Sequence, residues 1–112
     1  MYEVTHIDIS GMSRAVRQIG DRWSLLIVWE ALQGTARFED FYYTLGIARN
    51  ILSNRLSKLV DEGILVRQPV NSEARRLEYR LTRKGEALRP ALELIDEWGN
   101  SASVIDISRS DT

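Results

Sequence analysis

Residues 48–62 combine leucines at helical spacing with a set of polar and basic side chains. Leu52, Leu56, Leu59 and Val60 lie at i, i+4, i+7 and i+8, which is the spacing of a buried helical stripe. The polar set falls on or near the other face: Arg49, Asn50, Ser53, Asn54, Arg55 and Lys58. Such side chains donate to phosphate oxygens, and Arg and Asn also make paired contacts with base edges. The pattern therefore predicts a helix that binds nucleic acid through its exposed face.

The position of each polar residue along this helix predicts its role. The N-terminal half of a recognition helix usually reaches the bases. We therefore expect the first four residues of the polar set to contact bases or phosphates. The last two, Arg55 and Lys58, are expected to anchor phosphates.

A two-stranded hairpin is predicted to follow this helix. Residues 64–68 and 77–81 have the composition of strands, and the second alternates apolar and polar residues with period two. The turn between them carries Arg75 and Arg76, which could lie in or beside a minor groove. A helix followed by a basic hairpin is typical of a winged helix-turn-helix.

The charge distribution is compatible with DNA binding, although the net charge of the chain is −1. Residues 47–84 contain nine Lys/Arg and four Asp/Glu, so this segment carries +5 and the rest carries −6. Phosphate responds to the local field rather than to the total charge. Charge alone favours DNA binding and an ordinary solvated surface about equally.

The first half of the chain is predicted to supply the supporting helices. Helical spacing indicates helices at 12–19, 22–33 and 39–44, and a short edge strand at 35–38. Asp21 is placed to cap the second of these helices, which is apolar around nearly its whole circumference and is therefore expected to be buried.

A last helix is predicted from residue 83 to residue 98. Thr82 is a suitable N-cap, and Gly99 is expected to stop the helix. Pro90 conflicts with an uninterrupted helix, because proline removes a backbone donor. We expect residues 1–10 to form an arm, 11–99 the folded domain, and 100–112 a tail.

An enzyme is a poor fit to this sequence. The chain has no cysteine and a single histidine, His6, in the expected arm, so no nucleophile, metal or cofactor site is predicted. No apolar run approaches the roughly 18 residues of a membrane span, and the first residues lack the pattern of a signal peptide. We therefore expect a cytoplasmic protein without membrane contact.

The aromatic side chains leave two interpretations open. They could line a pocket for an aromatic effector, or they could belong to the core and a subunit interface, which is the more frequent role. The set comprises Trp23, Trp29, Phe38, Phe41, Tyr42, Tyr43 and Trp98.

Several blocks of sequence resemble the HxlR-type winged helix transcriptional regulators of bacteria. The resemblance covers about residues 10–99 and rests on residues 19–27, 37–41, 52–65 and 78–85. It implies that residues 48–62 form the recognition helix and residues 69–76 the wing.

The resemblance also implies a homodimer built from the first and last helices. Dimers of this type read two half-sites about one helical turn, roughly 34 Å, apart. The apolar positions that would form the interface are Met12, Val16, Ile19, Leu88, Leu92, Ile95 and Trp98.

One position departs from the pattern of the family. Many members carry a cysteine just before the first helix, and here that position falls at Ser10. A serine has no thiolate, so sensing of oxidants or quinones by cysteine is excluded for this chain. Whether it responds to another signal stays open.

The sequence thus predicts a mainly α (α+β) winged helix-turn-helix with a two-stranded β-wing and flanking dimerisation helices. The predicted function is a sequence-specific transcriptional regulator that binds a pseudo-palindromic operator in double-stranded DNA as a homodimer. Two alternatives are a winged-helix protein-interaction module without DNA binding, and a regulator that responds to an aromatic small molecule.

Overall fold

The computed structural model describes residues 10–72 and 76–101, and its elements follow the order of a winged helix. Within these ranges none of the helices is both long and apolar enough to span a membrane. The bounds of the elements are α1 Gly11–Ile19, α2 Arg22–Leu32, α3 Phe38–Leu45, α4 Arg49–Asp61, β1 Leu65–Pro69, β2 Leu77–Leu81, α5 Arg83–Glu86 and α6 Arg89–Asn100.

Helix α2 is the central element of the core. It packs against α3, α4, α6 and β2, and its Ile27 and Val28 are completely buried. Asp21 caps it as predicted, since the carboxylate accepts a hydrogen bond from the Ser24 backbone N–H at 3.0 Å. The start of α2 is therefore fixed both by a cap and by burial.

Helices α3 and α4 form the helix-turn-helix. Gly46 ends α3 in the left-handed conformation (φ 65°), which glycine adopts without steric cost. Phe41 and Ile47 pack with the leucine stripe of α4, and all are almost completely inaccessible to solvent. The leucines of the predicted α4 stripe are therefore buried, and the opposite face of the helix is left to solvent.

Strands β1 and β2 form an antiparallel hairpin with Leu65 opposite Leu81 and Pro69 opposite Leu77. Pro69 is the last residue of β1, as expected for a residue that cannot donate to a ladder. The prediction of an edge strand at 35–38 was wrong. This segment contributes one ladder-like hydrogen bond, from the Tyr79 N–H to the Ala36 carbonyl at 2.7 Å, and then enters α3 at Phe38.

The predicted last helix is divided in two near Pro90. Thr82 caps α5, as predicted, but α5 ends at Glu86, and α6 begins at Arg89. Pro90 lies in the first turn of α6, where a backbone N–H has no intrahelical acceptor, so the conflict is removed by a new helix start. Gly99 does not stop the helix, because α6 continues to Asn100 and Gly99 lies within it without a positive φ.

The start of α5 packs closely against the backbone that connects α4 to β1. The Thr82 hydroxyl accepts from the Gly85 N–H at 3.0 Å and donates to the Ile64 carbonyl at 3.1 Å. A Cβ on Gly85 would overlap the Ile64 carbonyl oxygen and lie 2.8 Å from Leu81 Cδ2. Only glycine therefore fits where α5 meets this backbone.

We expect Gly85→Ala to lower the free energy of unfolding by about 1–3 kcal/mol, because the added methyl must displace backbone as well as a side chain. Denaturant unfolding followed by circular dichroism measures this change. Gly11→Ala is the control, since a Cβ there meets nothing within 4 Å, and its effect should stay within about 0.5 kcal/mol. Equal effects of the two substitutions would contradict the close approach.

Candidate nucleic-acid interface

The outward face of α4 is a polar surface that runs beside the wing. Asn50, Ser53 and Asn54 are exposed on it, opposite the buried leucines. The first of these lies in the first turn of α4, whose end is open because Ala48 at the N-cap offers no side-chain hydrogen bond. The predicted face is therefore exposed at these three residues.

Arg49 is held at the N-terminus of α4 by a residue of α3. Its guanidinium donates two hydrogen bonds to the Glu39 carboxylate, at 2.8 and 2.9 Å. It also lies over the Tyr42 ring at 4.2 Å from the centroid. The hydrogen bond from Arg49 lowers the pKa of Glu39, and Glu39 in turn raises the pKa of Arg49. Both partners are more than half exposed, so the pair is open to exchange with solvent or a ligand.

Arg55 and Lys58, the two predicted phosphate anchors, both pair with Asp21. Arg55 Nε lies 3.0 Å from Asp21 Oδ2, and Lys58 Nζ lies 3.4 Å from Asp21 Oδ1. Arg55 also donates to the Asn54 side-chain carbonyl at 2.8 Å. The three predicted contact residues 54, 55 and 58 are thus linked to one acid at the start of α2.

Sequence reasoning missed Asp21 and Glu39 as parts of this surface. The local sequence identifies Asp21 only as a helix cap, and Glu39 is not among the predicted contact residues. The sequence separations, 34 residues from Asp21 to Arg55 and 10 from Glu39 to Arg49, lie outside any local pattern. The available signal was that each acid falls in one of the sequence blocks that resemble the family.

The wing is only partly described. Arg76 is exposed at the base of the turn, where its carbonyl accepts from the Val70 N–H at 3.2 Å. Arg75 lies outside the described residues. On β2, Arg80 pairs with Glu78 at 2.8 Å. Of the two predicted wing contacts, Arg76 is the one that lies within the described residues, and it is exposed.

Helices α1 and α6 each leave apolar side chains exposed. Met12, Val16, Ile95 and Trp98 are each more than half exposed, whereas Leu88 is half-buried. Two positions predicted for a subunit interface, Ile19 and Leu92, are buried within the single chain, with exposures of 8% and 5%. They belong to the protomer core, because α1 and α6 turn these side chains inward.

An apolar groove of about 340 Å³ lies between α2 and α6. Leu26, Trp29, Leu92 and Ile95 are among its lining residues, with Asp96 at its edge. Of the aromatic set, only Trp29 lines it. Phe41 is buried in the core, while Tyr43 and Trp98 are exposed on different helices, so the aromatic residues do not converge on one pocket.

Comparison with known proteins decides the family. The profile of the HxlR-like helix-turn-helix family matches residues 18–105. The chain belongs to the HxlR family. This membership confirms the resemblance inferred from the sequence blocks, and the winged helix fold is confirmed with it.

Relatives of the chain are named as transcriptional regulators. The uncharacterized HTH-type transcriptional regulator Rv3095 of Mycobacterium tuberculosis is 43% identical over 89 residues, which are 80% of this chain and 56% of that protein. The crystal structure of PA1607, a candidate transcription factor, shares 46% identity with a TM-score of 0.76, over 80% of this chain and 63% of that one. The chain therefore spans less than two thirds of the length of either.

A third relative has nearly the same length as this chain. The redox regulator HypR in its reduced form is 27% identical with a TM-score of 0.78, over 90% of this chain and 99% of that one. In this HxlR chain, which has no cysteine, Ser10 instead caps α1 by accepting from the Ser13 N–H at 3.1 Å. Across the described residues, no group of three metal-ligating side chains comes together.

Proposed function

We propose that this HxlR-family chain is a sequence-specific, DNA-binding transcriptional regulator. The observation that carries the proposal is the exposed polar face of α4, which is backed by a rigid leucine core and flanked by a wing. Family membership and the names of the relatives support the same function. We assign no catalytic activity, and we place the regulator in the cytoplasm with its DNA.

The dimensions of α4 suit the major groove. Its 13 residues form a rod of roughly 20 Å at 1.5 Å per residue, with a diameter of roughly 10–12 Å. The major groove, about 12 Å wide, accepts a helix of this size. In this arrangement Asn50, Ser53 and Asn54 reach base edges or phosphates, and Arg76 with Arg75 reaches the backbone or the minor groove.

We further propose that the protein acts as a homodimer through α1 and α6. Met12 and Val16 on α1 and Ile95 and Trp98 on α6 are exposed apolar side chains, and a second copy would cover them. Two-fold symmetry of the protein then requires a pseudo-palindromic operator.

The test is a fluorescence-anisotropy titration against DNA from upstream of the chain's own gene, with a scrambled duplex of equal composition, at a series of salt concentrations. Tighter binding to the native duplex that weakens steeply with salt is the expected result. Equal binding to both duplexes would contradict sequence specificity at this site. No binding to either duplex at low salt would contradict DNA binding and favour a protein-interaction module.

A further inference from the structure

All three cations of α4 face an acid from another element. Arg49 pairs with Glu39, while Arg55 and Lys58 share Asp21. The cations of the predicted DNA-contacting face are therefore paired with carboxylates of the same chain. Asp21 is the more consequential of the two acids, because it engages two cations at once.

Asp21 is held firmly in this position. It caps the buried helix α2, and its two oxygens divide between the partners: Oδ2 accepts from Ser24 and Arg55, and Oδ1 from Lys58. The side chains of Asp21, Arg55 and Lys58 are each about one-third exposed, so solvent screens these pairs less than the Arg49–Glu39 pair.

The carboxyl group of Asp21 is ionised at neutral pH. Partial burial alone would raise its pKa, but hydrogen bonding from Ser24 and Arg55 and the charge of Lys58 outweigh burial. The pKa of Asp21 consequently lies well below its ordinary value of 3.8. The two cations thus face a permanent negative charge.

Building on the proposed function, we propose that Asp21 is an intramolecular competitor of DNA phosphate that restrains the affinity of the protein for DNA. Asp21 presents two anionic oxygens to the basic side chains that the sequence assigns to phosphate. A phosphate that binds either cation must first displace Asp21 or share the cation with it. The restraint acts on every duplex, so it sets the overall affinity and its salt dependence rather than the preferred sequence.

Asp21→Asn tests this proposal with little change in shape. Asparagine caps helices as well as aspartate, so α2 keeps its start. The substitution removes the negative charge that faces Arg55 and Lys58. Each cation released to a phosphate adds about 0.9 to the slope of log K against log salt. We expect the variant to bind both native and scrambled duplexes more tightly than the unmodified chain at low salt, with a slope steeper by about 1–2.

Glu93→Gln is the matched control for net charge. Glu93 lies on α6 and is exposed, and within the described residues none of the ion pairs includes it. Its substitution should leave the salt slope unchanged. In the Asp21→Asn background, Lys58→Ala should remove about half of the added slope.

The outcomes separate this proposal from the proposed function. If the unmodified chain binds DNA but Asp21→Asn shows the same slope, or a slope that Glu93→Gln reproduces, the competitor role is overturned. Weaker binding by Asp21→Asn, with unchanged thermal unfolding, would also overturn it and make Asp21 a positioning residue. Failure of the unmodified chain to bind any duplex contradicts the proposed function itself.

Discussion

Ile95→Asp should convert the proposed dimer to a monomer and weaken binding to its operator by about 10²–10⁴-fold. The estimate follows from the loss of linked binding at two half-sites, since the second half-site is otherwise bound at a high effective concentration. Ile95 is 54% exposed and neighbours the 67% exposed Trp98 at helical spacing. A carboxylate there would be buried without a partner in the proposed interface, at a cost that apolar contacts cannot offset.

The measurement combines sedimentation equilibrium with anisotropy on the preferred duplex. Glu97→Gln is the control, because it alters charge on an exposed position of the same helix and should leave both the mass and the affinity unchanged. Circular dichroism should show that Ile95→Asp keeps its helices, because Leu92 is buried in the protomer core whereas Ile95 is exposed. A dimer of unchanged stability in Ile95→Asp would place the subunit interface elsewhere.

The elements of the fold could be predicted because their signals are local. Leucines every third or fourth residue define α4, and alternation defines β2. Helix caps at Asp21 and Thr82 were also predictable, since a cap depends on only the next three residues. These features require no knowledge of what lies across the core.

The errors arose where distant parts of the chain decide the outcome. The segment 35–38 has strand composition, but it makes only one backbone hydrogen bond with β2 before Phe38 begins α3. Gly99 was expected to end a helix, but its backbone does not turn to the positive φ that Gly46 and Gly63 adopt after α3 and α4, and α6 continues through it to Asn100.

The candidate site was predictable in composition but not in its pairing. The polar residues of α4 could be identified because the leucines fix which face is exposed. Their acids could not, since Asp21 and Glu39 reach α4 only after α2, α3 and α4 pack together. Likewise, Ile19 and Leu92 look like interface residues on a helical wheel, and only the packing shows them covered within one chain.

Arg49→Ala is expected to reduce the affinity for the preferred duplex by about 5- to 150-fold, the range that corresponds to loss of one good paired base contact. Arg49 is the first residue of α4. In recognition helices, the N-terminal residues are the ones that contact base edges. Glu39 accepts two hydrogen bonds from the Arg49 guanidinium in an exposed ion pair, so a base that binds the same two donors displaces Glu39 from a pair that is open to exchange.

Arg49→Lys separates base reading from phosphate binding. Lysine keeps the positive charge but lacks the planar fork that engages a guanine edge, or Glu39, through two hydrogen bonds. We expect the lysine variant to retain salt-dependent binding and to lose the preference for the native over the scrambled duplex, as the alanine variant does. Anisotropy titrations of the two variants on both duplexes provide the measurement. A lysine variant with the full preference would show that Arg49 serves only as a phosphate contact, and the bases would then be read by Asn50, Ser53 and Asn54.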